Sequence, residues 1–172
     1  MNLDFLDTPM SVTTEKRKAP GKHNARIAAV QAMYQMEISG RGAAGVIDEF
    51  LEERLSGTPE FLPSSEIDRN FFARLVKGVV KNQEEVDQAI RSQLSEKWRL
   101  SRIDATLRAI LRCGCFELTI TKAATPAVVI DEYVEISNQF FDQKETGFIN
   151  ASLDAINKSF MKSAADLLKA GK

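Results

Sequence analysis

The stretch DATLRAILRCGCFEL, residues 104–118, has the pattern that decides the fold class. Its apolar side chains recur at the three- and four-residue spacing of an α-helix. One face of this helix carries Ile103, Leu107, Ile110, Gly114 and Leu118. Ser101 and Asp104 have the spacing of a capping pair in front of the apolar run. Because a glycine within the buried face permits close approach by a neighbour, the segment is predicted to be the central helix of a bundle.

The same helical spacing extends on both sides of this segment, without the sustained alternation that is typical of strands. The further predicted helices are about Asn24–Ser39 (buried stripe Ile27, Val30, Tyr34 and Ile38), about Ala43–Leu55, one starting at Ser64 or Ser65, one after Asn82, Pro126 to about Phe140, and about Thr146–Phe160. Most connections are short, so neighbouring helices are expected to pack antiparallel. The chain is predicted to be all-α, with about seven helices.

The composition indicates one folded body. The chain has 172 residues, of which 44% are hydrophobic and 27% charged, as in ordinary globular proteins. No apolar run is long enough to span a membrane, and the N-terminus lacks the features of a secretory signal, so a cytoplasmic protein is expected. The predicted division is a flexible basic arm over 1–21, a helical domain over 22–160 and a polar tail over 161–172.

No metal site is expected from the two cysteines, Cys113 and Cys115. Positions two apart on a helix point about 200° from each other, so these thiols cannot bridge there. The single histidine, His23, is distant in sequence, and a thiolate site would need further ligands. Both cysteines are therefore interpreted as small buried hydrophobic residues.

The basic N-terminal segment is the first candidate for binding. Residues 11–41 contain six basic residues and two acidic ones, a balance of +4 that attracts polyanions. The candidates for RNA contact here are Lys16, Arg17, Lys18, Lys22, His23, Asn24 and Arg26. Phosphate is also favoured by the free N–H groups at the start of a helix. The alternatives are that the arm only aids solubility and that Arg26 pairs with an acid on a neighbouring helix.

The start of the last helix is the second candidate. Phe148 lies roughly 100° from the centre of the apolar stripe on that helix, so its ring could stack on an unpaired base. Lys144 and Asn150 flank it and could contact the RNA. The alternative is that Phe148 packs under a loop or a neighbouring helix.

Tyr34 and Gln31 in the first helix are less certain contacts to RNA or a partner. Tyr34 belongs to the predicted buried stripe, which favours core packing with a solvated hydroxyl. Gln31 borders that stripe, where an amide is more often satisfied inside the fold.

No catalytic arrangement is recognisable in the sequence. It contains neither a phosphate-binding glycine loop nor a nucleophile near a base, and its adjacent carboxylates are typical of solvated helix faces. We therefore expect a binding protein that has no enzymatic activity and no cofactor.

Several short motifs in order resemble the NusB family. They are Ala25-Arg26, Ala29–Tyr34 (AVQAMY), Trp98-Arg99-Leu100, Arg108–Arg112 (RAILR), Phe116-Glu117-Leu118, Pro126 with Ile130-Asp131-Glu132, and Phe148-Ile149-Asn150 before Leu153. The resemblance covers about residues 22–160. It implies two small antiparallel helical bundles packed together.

The resemblance also implies a function in transcription. NusB proteins bind the boxA element of nascent RNA, notably on ribosomal RNA operons, together with the small-subunit ribosomal protein NusE. That complex joins other Nus factors on RNA polymerase and suppresses termination. Carried over to this sequence, RNA contact is expected at the basic arm, Lys22, His23, Arg26 and Phe148.

Two other functions compete with this one. A protein-only helical adaptor in transcription or ribosome assembly would use Phe148 as core and the arm for solubility. The same helical domain also occurs at the N-terminus of some RNA cytosine methyltransferases, a reading that requires the sequence to be a fragment. The sequence leaves open whether the chain is a monomer or a homodimer, since the resemblance implies that both occur in the family.

Overall fold

The computed structural model describes residues 20–54 and 67–171, and in these residues all the regular secondary structure is helical. The α-helices are α1 (Pro20–Ser39), α2 (Ala43–Glu49), α3 (Arg69–Lys81), α4 (Gln83–Gln93), α5 (Ala105–Phe116), α6 (Pro126–Asn138) and α7 (Gln143–Ala170). A π-helical turn follows α2 (Phe50–Arg54) and another follows α5 (Glu117–Thr121), and a 3-10 turn covers Leu100–Arg102. The prediction of an all-α chain with seven helices is confirmed.

Helix α5 is the central helix, as predicted, and it belongs to two bundles. It packs with α1 and α3, beside α2, on one side, and with α4, α6 and α7 on the other. Arg26 of α1 pairs with Glu117 beyond the end of α5, whereas Glu37 near the end of α1 pairs with Arg108 early in α5. Helices α1 and α5 are therefore antiparallel.

Two glycines allow the helices around α5 to approach closely. A Cβ at Gly114 would lie 2.9 Å from a methyl carbon of Leu153 and 3.2 Å from the Tyr133 ring. A Cβ at Gly78 of α3 would lie only 2.2 Å from the Phe116 ring. The role predicted for Gly114 is confirmed, whereas that of Gly78 was not anticipated because it depends on which helix faces it.

The starts of α1, α3, α5 and α7 differ from the predicted ones, and α7 begins at Gln143, three residues before Thr146. Helix α3 begins at Arg69, where the Asp68 side chain caps it by accepting a hydrogen bond from the Phe71 N–H at 2.8 Å. Ser64 and Ser65, the predicted starting points, lie outside the described residues. Helix α5 is capped by Asp104, which accepts from the N–H groups of Thr106 and Leu107, while Ser101 lies in the preceding 3-10 turn.

Helix α1 begins at Pro20 instead of Asn24, since proline is well suited to a first helical turn. The predicted boundary between arm and domain at residues 21 and 22 therefore falls inside this helix. Its predicted buried stripe is correct for Ile27 and Val30 and wrong for Ile38 and for Tyr34, which is 42% exposed. Within the described residues, no neighbouring helix covers the side of the last turns of α1 that carries Tyr34 and Ile38.

Helix α7 continues to Ala170, ten residues beyond its predicted end at Phe160. The added segment, MKSAADLLKA, consists mostly of good helix formers and has no glycine or proline before Gly171. The predicted polar tail is therefore largely helical. It leaves three large apolar side chains exposed, Met161, Leu167 and Leu168. No described helix is long and apolar enough to cross a lipid bilayer.

Candidate nucleic-acid interface

The first turns of α1 are fixed by a buried ion pair. Arg26 donates from Nε and Nη2 to the two carboxylate oxygens of Glu117, at 2.8 and 2.9 Å, and from Nη1 to Glu132 at 3.3 Å. The Arg26 residue is only 5% exposed. Burial alone would lower the pKa of Arg26, but the hydrogen bonds and charge of Glu117 raise it above its ordinary value. The alternative in which Arg26 pairs with an acid on another element is thus confirmed.

Glu117 is saturated by its neighbours. Besides Arg26, it accepts a hydrogen bond from the Tyr133 hydroxyl at 2.5 Å, and it is itself 2% exposed. The π-helical turn that follows α5 carries this carboxylate into the space between α1 and α6. Burial and the charge of Glu117 both raise the pKa of Tyr133 well above its ordinary value. The three side chains form a closed network that anchors α1.

The other predicted RNA contacts near the start of α1 differ in their exposure to solvent. His23 and Asn24 are buried, and His23 Nδ1 lies 2.8 Å from a Glu132 oxygen. Lys22 is exposed, with its Nζ 5.6 Å from the centroid of the Phe71 ring. Lys16, Arg17 and Lys18 lie outside the described residues. Lys22 is therefore the residue of this group that the described structure presents to solvent.

One group of described residues has potential metal ligands close together. Atoms of His23, Glu132 and Glu135 lie within 4.8 Å of one another. The same Glu132 oxygen, however, is shared by His23 and the guanidinium of Arg26. We interpret the cluster as part of the ion-pair network at the start of α1.

The second predicted cluster contains an aromatic pair. The rings of Phe148 and Trp98 have centroids 5.7 Å apart and planes inclined by 32°. Trp98 is 53% exposed, whereas Phe148 is half-buried with one side against the core. Lys144 and Asn150 are exposed on the same first turns of α7. Lys144 is one helical turn before Phe148 and shares its side of α7, whereas Asn150 is two positions after it and points about 200° away. The arrangement can therefore present an aromatic surface with a cation beside it.

The segment that carries Trp98 is held by Arg108. The Nη1 atom of Arg108 donates to the backbone carbonyls of Leu100 at 2.8 Å and Ile103 at 2.6 Å. Its Nε donates to Glu37 at 3.0 Å, which connects the segment to α1. The two bonds to the backbone carbonyls are buried, so they are shielded from water, whereas the bond to Glu37 is partly buried. The backbone next to Trp98 is therefore fixed.

An open groove lies between α1, the start of α5 and the end of α6. It has a volume of about 520 Å³ and is lined by Val30, Gln31, Tyr34, Gln35, Ile38, Ser39, Thr106 and Phe140. Three of these side chains, Tyr34, Ile38 and Phe140, are large, apolar and exposed. Groups of this kind are common at the centres of protein interfaces.

The predicted contacts fall at the two ends of α5. The α1 cluster lies beside Glu117 at its C-terminal end, whereas the segment with Trp98 and Phe148 is tied to Arg108 near its beginning. The rise of an α-helix separates those two positions by roughly 14 Å. The described structure thus separates the two groups of predicted contact residues along one helix.

The profile of the NusB family matches residues 23–158, which is most of the chain. The chain belongs to the NusB family. It is 48% identical over 149 residues to the transcription antitermination protein NusB of Maricaulis maris, covering 87% of this chain and 93% of that one. With the same protein from Caulobacter vibrioides it is 52% identical over 132 residues, which is 77% of this chain and 89% of the other.

A solved NusB fold also superposes on this one. In a crystal structure of the antitermination factors NusB and NusE in complex with dsRNA, the matching chain has a TM-score of 0.67 and 26% identity. The match covers 80% of this chain and 96% of that chain. The two-bundle architecture is therefore that of NusB proteins.

The NusB-family match includes Trp98 and Phe148 and the buried residues at the start of α1, but it begins one residue after Lys22 and ends before the last turns of α7. Sequence reasoning selected Phe148 as a candidate contact but did not select Trp98, whose ring lies against it in the structure. Trp98 precedes α5 in an irregular segment, so no periodic pattern indicates which way it points. The sequence did offer one indication: Trp98 stands among polar residues in a connection between helices, where burial in the core does not explain a tryptophan.

Proposed function

We propose that this chain is a transcription antitermination factor that binds boxA RNA together with NusE, within a Nus-factor complex on RNA polymerase. The observation that carries the proposal is its 48% identity, over most of its length, to a protein of that name. Its likeness to the NusB chain solved with NusE and dsRNA supports the choice of partners. The role is one of binding without catalysis, and it belongs to the cytoplasm, where RNA polymerase works.

In this proposal the Trp98 and Phe148 rings stack on unpaired bases of the RNA. Base stacking on an aromatic side chain contributes about 1–3 kcal/mol per base. Lys144, one helical turn before Phe148, supplies a positive charge on the same side of α7, whereas Asn150 points about 200° away from Phe148 and would contact a different part of the RNA. Because Arg108 fixes the backbone at Leu100, little ordering of this segment is needed on binding.

The basic residues at the other end of α5 would hold the RNA backbone. Lys22 is exposed there, and Lys16, Arg17 and Lys18 precede it closely in the sequence. The buried residues His23, Asn24 and Arg26 would instead position the start of α1. Their predicted contact with RNA would then be indirect, through the placement of the basic arm.

We assign NusE to the groove between α1, α5 and α6. Its exposed Tyr34, Ile38 and Phe140 offer apolar area with one hydroxyl, which suits a protein surface better than a phosphate backbone. Gln31 lines the same groove and would contact the protein partner.

The proposal is tested by titrating a fluorescent boxA RNA with the chain, alone and with NusE. We expect Trp98→Ala and Phe148→Ala each to weaken binding about 5- to 150-fold, as loss of one stacked base implies. Phe140→Ala is the matched aromatic control and should leave binding to RNA alone unchanged. Ile38→Asp should remove the effect of NusE while leaving RNA binding intact.

The competing function as a protein-only adaptor gives a different result. Under it, wild type and the two aromatic variants would show the same weak affinity for boxA and for a scrambled RNA. Circular dichroism must first establish that every variant is folded, since Phe148 packs partly on the core.

A further inference from the structure

A small pocket lies between the first turns of α1, helix α3 and the turn after α5. Its volume is about 200 Å³, and its lining residues are Lys22, Phe71, Arg74, Leu75, Phe116, Glu117, Thr121 and Ala123. It is separate from the groove assigned to NusE and from the aromatic pair at Trp98. None of the motifs in the sequence drew attention to α3 as a binding element.

The rim of this pocket is positively charged. Lys22 and Arg74 are both exposed, and they approach it from two different helices. Glu117 is the only acid among the described lining residues, and its two oxygens are occupied by Arg26 and Tyr133. Its charge is therefore compensated inside the protein. An anion at the rim would encounter two solvent-facing cations and no uncompensated carboxylate in the lining.

The inner wall of the pocket is apolar and rigid. Phe71 is half-buried, with Lys22 Nζ 5.6 Å and Arg26 Cζ 5.1 Å from its ring centroid. Because Arg26 is held by two bonds to Glu117, the ring has a fixed neighbour. Leu75 and Phe116, both buried, complete this wall. A charged rim over an apolar wall suits a nucleotide, whose phosphate is anionic and whose base and ribose have apolar faces.

We infer that single-stranded RNA continues from the basic arm onto α3, with a phosphate between Lys22 and Arg74 and its nucleotide against Phe71. The inference rests on the proposed function and extends it to a residue, Arg74, that neither the sequence motifs nor the aromatic pair includes. In the sequence, Lys22 follows the basic residues 16–18 by only a few positions.

Salt dependence provides the test, because each phosphate contact with a single strand adds about 0.7 to the slope of log affinity against log salt. We expect Arg74→Gln to reduce the loss of boxA RNA affinity between 50 and 200 mM salt by about 2.6-fold relative to wild type. The double variant Lys22→Gln, Arg74→Gln should reduce it by about 7-fold. Lys162→Gln, which removes an exposed charge from the far part of α7, should leave the slope unchanged.

The outcomes separate the inference from the function on which it rests. If wild type binds boxA RNA specifically and Arg74→Gln has the wild-type slope, the pocket does not hold a phosphate and the inference is overturned, while the proposed function stands. If wild type shows no preference for boxA even with NusE, both fail. Arg74 is exposed on a helix surface, so circular dichroism should show a folded variant.

Discussion

Glu117→Gln is the substitution that tests most sharply how the start of α1 is held. The carboxylate accepts two hydrogen bonds from Arg26 and one from Tyr133, all in a site where Glu117 is 2% exposed. Glutamine has nearly the same shape as glutamate but no charge. Its amide nitrogen is itself a donor and would face the N–H or O–H donors of Arg26 or Tyr133. The variant therefore leaves the guanidinium buried beside one remaining acid, Glu132 at 3.3 Å.

Breaking one side of a buried ion pair costs about 3–5 kcal/mol of the free energy of unfolding. Since Glu132 retains part of the attraction, we expect about 3 kcal/mol, the lower end of that range. For a chain of this size such a loss lowers the melting temperature by about 6–12 °C. Urea unfolding followed by circular dichroism measures the first quantity, and thermal unfolding measures the second.

Two further variants test whether the loss of stability in Glu117→Gln arises from the burial of the ion pair. Asp154→Asn removes the exposed ion pair with Lys158, whose charged atoms lie 2.7 Å apart, and should cost less than about 0.5 kcal/mol. The triple variant Arg26→Met, Glu117→Leu, Tyr133→Phe replaces the buried pair and the hydroxyl that donates to it by apolar groups, and it should recover most of the lost stability. The reasoning is refuted if Glu117→Gln costs less than about 1 kcal/mol, as an exposed pair would.

Three further predictions concern packing, titration and capping. Gly78→Ala places a Cβ 2.2 Å from the Phe116 ring and should cost about 1–3 kcal/mol in urea unfolding; wild-type stability would contradict the packing described. Burial raises the pKa of Cys115 from 9.0 to about 12, so the unfolded chain loses this proton first and stability should fall as pH rises above 9, by up to about 1.4 kcal/mol per pH unit. Cys115→Ala should show a correspondingly shallower decline, and parallel curves would refute the assignment. Asp104→Ala removes the cap of α5 and should cost about 0.5–2 kcal/mol in the same unfolding measurement, whereas no loss would show that the cap bonds add nothing.

Local patterns predicted the elements of the fold well. The face of α5 and the role of Gly114 follow from periodicity and from the absence of a side chain, both of which are properties of one segment. The ends of elements were less predictable. Tyr34 and Ile38 continue an apolar stripe, but whether a neighbour covers the last turns of α1 depends on the length of other helices.

The candidate site depended more strongly on contacts between distant residues. Arginine is a residue type that often binds phosphate, and the sequence alone did not show that Arg26 pairs with Glu117. Only the fold brings the two together, because they are 91 positions apart. No periodic pattern in the sequence selects Trp98 or Arg74, because each becomes a candidate only through the groups that it faces in the folded chain. Phe148 could be selected because its angle from the apolar stripe can be worked out within one helix.

Transcription in vitro tests the central proposal most directly. RNA polymerase would transcribe a template with a terminator downstream of boxA, in the presence of NusE and other Nus factors, with and without this chain. The proposed function predicts that the chain raises readthrough on the boxA template and not on one with a scrambled boxA. Equal readthrough on both templates, or no change when the chain is added, would contradict it.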